Sequence, residues 1–562
     1  MKNRSIFSLF TVILVIFGLF AACSGASGSV SYTSGYPNPY NPSPPSQPYS
    51  KHTVKFVTNG GSPAPNQQTI TYGDKVVIPP AMTKAGYIFG GWYKEASCIN
   101  QWNFAADTVT GNITLYATWM LPVIVSGNTL LAKLQWLNTN ATSNTAYVLE
   151  VTANESLSPQ SLSYSGKNNI FIQLKGATGS PKVITLSSNG SLFSIENGVT
   201  LILGENLILQ GKSNNTAPLV QVNENNNMKS GGNFTMNGGK ISGNTNTSSS
   251  VRGGGVFVSS YGTFTMNGGE ISGNTSSSNN VGGGVYVDGS SVYKDGRLMY
   301  TGTFTMSGGE ISGNTSSNGG GVYLDFGTFT MSGGKISGNT SSSGNGGGVY
   351  VIGIFTMSGG EISSNTSSGG GGVYVRYLTF TMSGGKISGN TSSSGGGVSV
   401  YFANKDGYPY STFTMSDGEI SGNTSSYDGG GVNLYGLGAT FIMGGGKISG
   451  NTTGYTTGYG GGVYGNGGTF TMSGGEISGN TSSLGGGGVW VHSNFTKSGG
   501  TITGYADDTM NGNVVKKSGV VQNNQGHAVY SAVEPVKRRE TTAGPEVKMD
   551  SNLNGAAGGW EN

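Results

Sequence analysis

The chain has 562 residues, of which 101 are glycine, and it carries a formal net charge of +3 at pH 7. The glycines do not recur at every third residue, so the composition excludes a collagen-like fibre and indicates frequent turns between short strands. The charge is small for this length. The one dense basic run, VKRRE at 536–540, is predicted to be a solvated loop, so nucleic acid is not expected as a partner.

The N-terminus has the order of charges and apolar residues that is typical of an export signal. Lys2 and Arg4 precede an apolar run from 6 to 22, which is long enough for a signal peptide and short for a transmembrane helix. The next residue is Cys23, and LFAAC at 19–23 resembles the lipobox of bacterial lipoproteins, with Phe20 where leucine is usual. The resemblance implies a signal peptide over 1–22 and a lipid on Cys23, which would anchor the protein to a membrane.

The residue after the cysteine indicates whether the lipid anchor lies in the inner or the outer membrane. Ser24 is not the aspartate that retains enterobacterial lipoproteins at the inner membrane, so the outer membrane, with the protein exposed on the surface, is the expected location. A plain secretory signal with an incidental cysteine is the alternative. Residues 23–51 are predicted to be a tether, because six prolines between 37 and 48 favour an extended polyproline II conformation.

Residues 52–119 have the pattern of a small, separate β-domain. HTVKFVTNGG and QTITYGDKVVIP contain short alternating strands, and AGYIFGGWY and NITLYATW complete the segment. It resembles the Listeria–Bacteroides repeat, also called the internalin B-repeat, which implies a compact β-grasp-like module of cell-envelope and surface proteins without catalysis. The residues that carry the resemblance are Phe56, Asn59, Gly60, Gly61, Gly86, Tyr87, Phe89, Gly91, Trp92, Tyr93, Ile113, Leu115, Tyr116, Ala117 and Trp119. In so short a domain the aromatic rings are expected to form most of the core.

Residues 120–232 are predicted to hold one helix followed by irregular coils. GNTLLAKLQWLNTN at 127–140 places leucines 130, 131, 134 and 137 on one face, and Asn128 is the expected N-cap. The helix is expected to cover one end of the array that follows. Short strands such as YVLEV, IFIQL and VTLIL then alternate with Gly, Asn and Ser.

A repeated phrase, GTFTMSGGEISGNTSS with small edits, dominates residues 233–500. Its phenylalanine recurs after 25 residues in the shortest units, for example from Phe304 to Phe329. TFTM, EISGN and GGGVYV supply three short strands per unit, so one unit is predicted to be one coil of an all-β, right-handed parallel β-helix with about 25 residues per coil. It resembles the β-helical passenger regions of bacterial surface proteins, including polymorphic outer-membrane proteins. Residues 501–562 are expected to form a C-terminal coil, cap and tail.

The residue after the glycine pair changes sign along the array. In seven of the eight neighbouring pairs the charges are opposite, which predicts an outward column that fixes the register of the coils rather than one that adds much stability. The residues are Lys240, Glu270, Glu310, Lys335, Glu361, Lys386, Glu419, Lys447 and Glu476.

The sequence gives few candidates for catalysis. β-Helices often carry polysaccharide lyases, whose sites need acids and bases in one groove, but the histidines at 52, 492 and 527 and the arginines at 252, 297 and 376 are scattered. No catalytic site, metal or cofactor is therefore expected. A carbohydrate-active enzyme remains the alternative, and so, less favoured, does an ice-binding protein, because the Thr-x-Thr pairs resemble ice-binding solenoids.

Two insertions are the candidate binding loops. DGSSVYKDGRLMYTG at 288–302 and YFANKDGYPYS at 401–411 both lie between a Val strand and the next Phe strand, so they are expected at one edge, about 19 Å apart. Tyrosines beside cations suit ligand contacts, to host matrix or glycan, although neutral drift of surface loops is the plainer interpretation. The candidate contacts are Tyr293, Lys294, Arg297, Tyr300, Tyr401, Phe402, Lys405, Tyr408 and Tyr410. Taken together, the sequence predicts a non-catalytic, lipid-anchored, adhesin-like envelope protein.

Overall fold

The computed structural model describes residues 50–104, 107–225, 227, 230–277, 282–289, 291–294, 297–402, 410–454, 457–523, 525–532, 537–539 and 547–549. The predicted signal peptide, Cys23 and the tether up to residue 49 lie outside them. The structure is nearly all β, with 2% helix, and its main part is a parallel β-solenoid.

Residues 51–120 form a four-stranded sheet built from β1 (Lys51–Val57), β2 (Gln68–Thr71), β3 (Ile88–Tyr93) and β4 (Ile113–Met120). The strand order is β2-β1-β4-β3, with the central pair β1 and β4 parallel and the outer pairs antiparallel. Trp92, Trp102 and Leu115 are buried in the core, with Phe56 and Phe89 packed against it. Most of the predicted aromatic core is present, but Tyr87 is 43% exposed.

The Asn-Gly-Gly motif after β1 has a structural explanation. Asn59 adopts a positive φ of 49°, and its side-chain amide donates to the carbonyl of Ala117 at 2.6 Å. The Trp119 ring lies directly over Gly61, where a Cβ atom would be 2.1 Å from the ring, and the indole N–H donates to the carbonyl of Thr58 at 2.8 Å. The motif therefore joins the ends of β1 and β4, and a side chain at residue 61 would separate them.

The single helix of the described chain, α1 (Leu130–Asn140), begins one residue later than expected. Its N-cap is Thr129, whose hydroxyl accepts from the Ala132 N–H, and not Asn128. Leu130, Leu134 and Leu137 are buried in the solenoid core, whereas Leu131 is exposed. The fourth buried position is instead held by Lys133, whose ammonium donates to the carbonyl of Glu150.

The solenoid has about 12 turns of about 29 residues. The mean length of a turn exceeds the 25-residue unit of the sequence because the insertions lengthen several turns. Three columns of parallel strands form it, each named here after its inward residue. Some strands turn a corner and contribute to two or three columns.

The strands that lie in one column only are as follows. The Phe column holds Val123–Ile124, Thr145–Val151, Ile170–Gly176, Val199–Leu203, Asn233–Met236, Thr263–Met266, Thr303–Met306 and Ala439–Met443. The Ile column holds Glu155–Leu157, Lys182–Leu186, Leu207–Gln210, Lys240–Ser242, Glu270–Ser272, Glu310–Ser312, Lys335–Ser337, Glu361–Ser363, Lys447–Ser449, Glu476–Ser478 and Thr501–Ile502. The Val column holds Gln160–Leu162, Phe193–Ile195, Val220–Val222, Val256–Val258, Val285–Asp288, Val398–Tyr401, Val432–Tyr435 and Val529–Ser531.

The remaining strands connect columns or form minor sheets. Val322–Met331, Val349–Met357, Val463–Met472 and Val489–Lys497 join the Val and Phe columns, Ser411–Ser421 joins the Phe and Ile columns, and Val373–Ser388 runs through all three. A fourth, narrow column, absent from the sequence prediction, comes from Thr245–Asn246, Thr275–Ser276, Thr315–Ser316, Thr340–Ser341, Thr391–Ser392, Thr424–Ser425, Thr452–Thr453, Thr481–Ser482 and Val514–Lys517. Val520–Val521 pairs antiparallel with the last of these, and two small hairpins are Glu224–Asn225 with Ser230–Gly231 and Ser291–Lys294 with Arg297–Tyr300.

The turns stack in strict register, with each repeat residue on its counterpart. Phe304 pairs with Phe329, and the rings of the ten anchor phenylalanines stack with centroids 4.6 to 5.1 Å apart. The irregular turns before residue 233 follow the same three columns, so Leu201 lies beneath Phe234. One continuous apolar core therefore runs from α1 to the last turn.

A buried asparagine ladder accompanies the Ile column, and the sequence interpretation had not identified it. At the corner after each strand of the Ile column from Leu207–Gln210 onward stands an asparagine with no exposed surface, and each except the last donates to the asparagine of the next turn. Asn365, for example, donates to Oδ1 of Asn390 at 3.0 Å and to the carbonyl of Ile336 at 2.9 Å, and it accepts from Asn339. The ladder consists of Asn215, Asn244, Asn274, Asn314, Asn339, Asn365, Asn390, Asn423, Asn451, Asn480 and Asn513.

The C-terminal end of the solenoid reverses the chain. Lys537–Arg539, which the sequence predicted as part of a solvated loop, is a strand antiparallel to Val529–Ser531, and Val547–Met549 is antiparallel to Val489–Lys497. The prediction was wrong because strand pairing uses backbone hydrogen bonds, so a run of basic residues can form a strand at the edge of a sheet. In the last turn Lys497 replaces the core methionine, and its ammonium donates to the carbonyl of Gly500 at 2.7 Å.

Replacement of one ladder asparagine tests how much of the stability depends on these contacts. Asn365→Ala should lower the free energy of unfolding by on the order of 3 kcal/mol, because it leaves buried donors and acceptors on both neighbouring turns without partners. The measurement is thermal and urea unfolding followed by circular dichroism. Asn237→Ala, at an exposed position of the same solenoid, is the control. Equal melting of the two variants would contradict a structural role for the ladder.

Candidate functional site

The charged residues of the sequence analysis lie in one column on the outside of the Ile strands. The nine charged residues lie in register from turn to turn, so that each of the first eight is paired with the next, from Lys240 with Glu270 to Lys447 with Glu476. Three neighbouring pairs form ion pairs, Lys240–Glu270 at 2.9 Å, Lys386–Glu419 at 3.2 Å and Lys447–Glu476 at 3.0 Å. We call this row the charge column.

The electrostatics of the charge column are those of a half-exposed surface. Hydrogen bonds from the serine two residues further along the strand, and then from the paired lysine, lower the pKa of Glu419 and of Glu476. Both carboxylates therefore remain ionised at neutral pH. Because exposed ion pairs each contribute only about 0–1 kcal/mol, we expect the alternation to select the register of neighbouring turns rather than to add much stability.

Charge reversal at two positions of the charge column separates register from simple attraction. Lys386→Glu creates two repulsive contacts, with Glu361 and Glu419, and should lower the unfolding midpoint by an amount equivalent to about 1 kcal/mol at low salt. Glu270→Lys is the matched control. Glu270 lies between Lys240 and Glu310, where the alternation is broken, so this reversal removes the repulsion with Glu310 and creates one with Lys240. The midpoints are measured with and without 1 M NaCl. Equal effects of the two reversals would contradict the role of the alternation.

The two insertions lie at one edge of the solenoid, four turns apart along the Val column. In the second, Phe402 is buried in the core, so this predicted contact residue is structural: its ring packs on Tyr410 at 5.2 Å. Tyr401 is half-buried, stacked between Tyr374 and Tyr435. Tyr410 is exposed, and Lys405 and Tyr408 lie outside the described residues.

The first insertion is a β-hairpin, Ser291–Lys294 with Arg297–Tyr300, that carries the candidates Tyr293, Lys294 and Arg297 on its strands. Tyr300, at its end, is 5% exposed and packs beside Phe326, so it too is not an exposed contact. Its carbonyl accepts a hydrogen bond from the Lys75 ammonium of the four-stranded domain at 3.5 Å. This hairpin therefore contacts another part of the same chain.

The outward residues of the Val column form a row of stacked rings, Phe257, Tyr286, Tyr323, Tyr350 and Tyr374, with centroids 4.7 to 5.4 Å apart. The arginines beside this row are not isolated, which corrects the sequence interpretation. They were far apart in the sequence, but stacking brings distant turns together, and Arg376 donates to the Tyr350 hydroxyl at 3.1 Å.

Arg252 belongs to a small cluster with two acids. Its guanidinium contacts the Tyr286 hydroxyl and Asp325, and that hydroxyl donates to Asp325 at 2.6 Å. Asp288 lies in register with Asp325, and burial together with the Asp325 carboxylate raises the pKa of Asp288 to about 6. No group of three or more His, Cys, Asp or Glu within the described ranges could hold a metal ion.

The four-stranded domain is packed against the flank of the solenoid. Ile88 of β3 lies in a small apolar cluster with Ala146, Val148, Phe171 and Ile202, and Met120 of β4 packs on it. These four solenoid residues are on the outward face of the Phe column, in the positions that hold polar residues such as Thr235 and Thr265 in later turns. The outward face is therefore apolar where the domain covers it.

A cleft of about 580 Å³ lies between this domain and the solenoid, next to the apolar contact. One wall is aromatic and belongs to the domain, with Tyr87, Phe89 and Trp119 among its residues. The other wall is the Phe-column face, with Asn169, Thr200, Asn237 and Asn267 among its residues. The Asn267 side-chain N–H donates to Oδ1 of Asn237 at 2.9 Å, and Oδ1 of Asn267 accepts from the Ser307 hydroxyl at 2.9 Å, so these two amides are held in fixed orientations.

Sequence comparison identifies the domain that forms the aromatic wall. Residues 52–118 match the family model of the Listeria-Bacteroides repeat domain. This segment is a Listeria–Bacteroides repeat domain. Similar proteins include two from Evansella cellulosilytica, "Putative Gly-rich membrane protein", 38% identical over 74 residues, and "Putative membrane protein", 38% identical over 72 residues. Each match covers 13% of this chain and, respectively, 8% and 11% of the relative's length. In the part of the chain that the structure describes, no helix is long and apolar enough to cross a membrane.

One substitution should detach the Listeria–Bacteroides repeat domain without unfolding the solenoid. Ile202→Asp places a charge in the apolar contact, so the domain should swing free and the radius of gyration in small-angle X-ray scattering should rise. Ile442→Asp is a matched control, because Ile442 holds the same position of the Phe column far from the domain and is 38% exposed. An unchanged radius in Ile202→Asp would contradict the docking contact.

Proposed function

We propose that the protein is a non-catalytic, adhesin-like display protein of a bacterial cell envelope. The observation that carries the proposal is the packing of a Listeria–Bacteroides repeat domain, a module typical of surface proteins, on the flank of a long solenoid. A solenoid of about 12 turns extends roughly 55–60 Å, at about 4.8 Å per turn. Its continuous core and asparagine ladder make it a stiff support for a second module.

The proposed location is the outer membrane, with the chain exposed on the surface and anchored by a lipid on Cys23. The lipobox-like letters at 19–23 support the anchor, and the names of the Evansella relatives support association with a membrane. The partners are the membrane, through that lipid, and a host matrix or glycan ligand.

A role in binding rather than catalysis is supported by the chemistry of the cleft. Its described lining offers aromatic rings, hydroxyls and amides, which orient a ligand by packing and hydrogen bonding. The predicted ice-binding alternative is less favoured, because Thr303 and Thr305 are buried and interrupt the flat threonine rows that such a face requires.

The cluster of Asp288, Asp325, Arg252 and Tyr286 favours the alternative of a carbohydrate-active enzyme. A carboxyl whose pKa lies near 6 is suited to proton transfer. Tyr286, however, has no exposed surface, and its hydroxyl is bonded to Asp325, which makes it a poor partner for a substrate. Release of new reducing ends from polysaccharides by the purified chain would favour this alternative over display.

Proteinase K treatment of intact cells tests the proposed location. The wild-type repeats should be lost from intact cells, and the Cys23→Ala variant should appear in the medium, because only the lipid anchor retains the chain. The readout is an immunoblot against the repeat region, with a periplasmic protein as the control for intact cells. Protection of the wild type until lysis would place the chain inside the envelope and contradict surface display.

A further inference from the structure

We propose that the cleft between the Listeria–Bacteroides repeat domain and the solenoid binds a neutral carbohydrate chain. At about 580 Å³ it is within the range of small-ligand sites, roughly 300–1,000 Å³. The cleft is formed by two rigid elements that the apolar contact around Ile88 and Ile202 holds together. A ligand would therefore meet a preformed site rather than order one.

The aromatic wall suits the apolar face of a sugar ring. Tyr87 and Phe89 flank the start of β3, and Trp119 lies near the end of the neighbouring strand β4. Tyr87 is 43% exposed, although in so small a domain its ring would gain by burial in the core. An exposed ring directly before a strand offers flat contact area at a small cost in conformational entropy.

The opposite wall supplies the hydrogen bonds that sugar hydroxyls need. Amides and hydroxyls can both donate and accept, as sugar hydroxyls can. Because Asn237 and Asn267 are linked to each other and to Ser307, their remaining donors and acceptors have fixed directions. The amides recur at the spacing of the solenoid turns, about 4.8 Å, and the spacing of sugar units along an extended chain is of the same order.

The charge of the cleft favours a neutral ligand over an acidic one. Lys84 is the one charged residue among the described residues that line it. Its ammonium donates to the carbonyl of Asn59 at 3.0 Å and lies 4.8 Å from the centre of the Tyr87 ring. A polyanion such as a nucleic acid or a uronate polymer would find no cluster of cations here.

Two buried polar atoms in the lining supply an independent observation. Trp102 is 7% and Thr303 is 6% exposed, and within the described residues neither the Trp102 indole nitrogen nor the Thr303 hydroxyl has a hydrogen-bond partner. Buried polar groups of native proteins are nearly always paired. Both residues line the cleft, so its lining includes an indole donor and a hydroxyl that no described protein group satisfies.

This inference deepens the proposed function, since display on a surface requires a ligand, but its test uses purified protein. If the binding test fails, the result of proteinase K digestion on the location of the protein still stands. If the location test fails, the result of the binding test still stands.

The test is isothermal titration calorimetry of the purified full chain with hexasaccharides of β-1,4-glucan, β-1,3-glucan, mannan and xylan, and with hexagalacturonate as the acidic comparison. At least one neutral hexasaccharide should bind, and hexagalacturonate should bind at least about tenfold more weakly. Tyr87→Ala and Asn237→Ala should each weaken the binding by about fivefold or more.

Two matched variants control for unrelated effects. Tyr72→Ala removes a ring that is 46% exposed on the same domain but outside the cleft, and Ser358→Ala changes the solenoid face several turns away. Both should bind like the wild type, and all four variants should keep its melting curve. The proposal is overturned if no neutral hexasaccharide binds at about 10 mM, if only hexagalacturonate binds, or if the cleft variants bind as tightly as the controls.

Discussion

The buried asparagine ladder is the interaction on which the rest of this structure depends. The amide of a ladder asparagine such as Asn365 is satisfied by the turn before and the turn after it, so its burial depends on both neighbouring turns. The preceding glycine has a positive φ, 61° at Gly338 for example, which directs the next side chain inward. Ser364 adopts the same conformation, with a φ of 57°, in the turn where the glycine is missing. The phrase SGN is thus the corner of the solenoid.

Strict register has a second consequence, for the surface. When every turn stacks on its counterpart, every outward position becomes a row, and a row of like charges would repel. The alternating charge column avoids this repulsion, whereas the tyrosine row uses stacking. A residue that differs in polarity from the rest of its row therefore indicates that something covers the surface at that point. Phe171 and Ile202 stand in rows that are otherwise mostly polar, and they mark where the Listeria–Bacteroides repeat domain is packed.

Much of the fold could be predicted from the sequence because local patterns determine it. The alternation in TFTM, the inward isoleucine and the shortest 25-residue unit together define a parallel solenoid, and the motifs around Trp92 define the domain. The ladder was missed because asparagine usually lies at exposed turns, and its burial depends on identical neighbours above and below. Its recurrence without exception after Ile-Ser-Gly or Ile-Ser-Ser was the available signal.

The cleft could not be predicted, because it lies between segments far apart in the chain. IFIQL and VTLIL do carry apolar residues on both faces, which indicates strands covered on both sides, but the sequence does not say by what. Two of the candidate contacts in the insertions, Tyr300 and Phe402, are buried for a related reason: they look like exposed loop residues until the turns are stacked.

Docking changes what a surface module can do. A repeat domain on a free tether would lose orientational freedom whenever it bound a ligand, and that loss reduces affinity. Packed on the solenoid, its aromatic face meets a row of oriented amides, and neither wall forms a two-sided site alone. The apolar contact at Ile202 is then more than a joint between domains, because it sets the width of the cleft and so the thickness of the ligand that fits. The asparagine ladder fixes the stacking of the solenoid turns, and so it also fixes the spacing of the amides along the solenoid wall of the cleft.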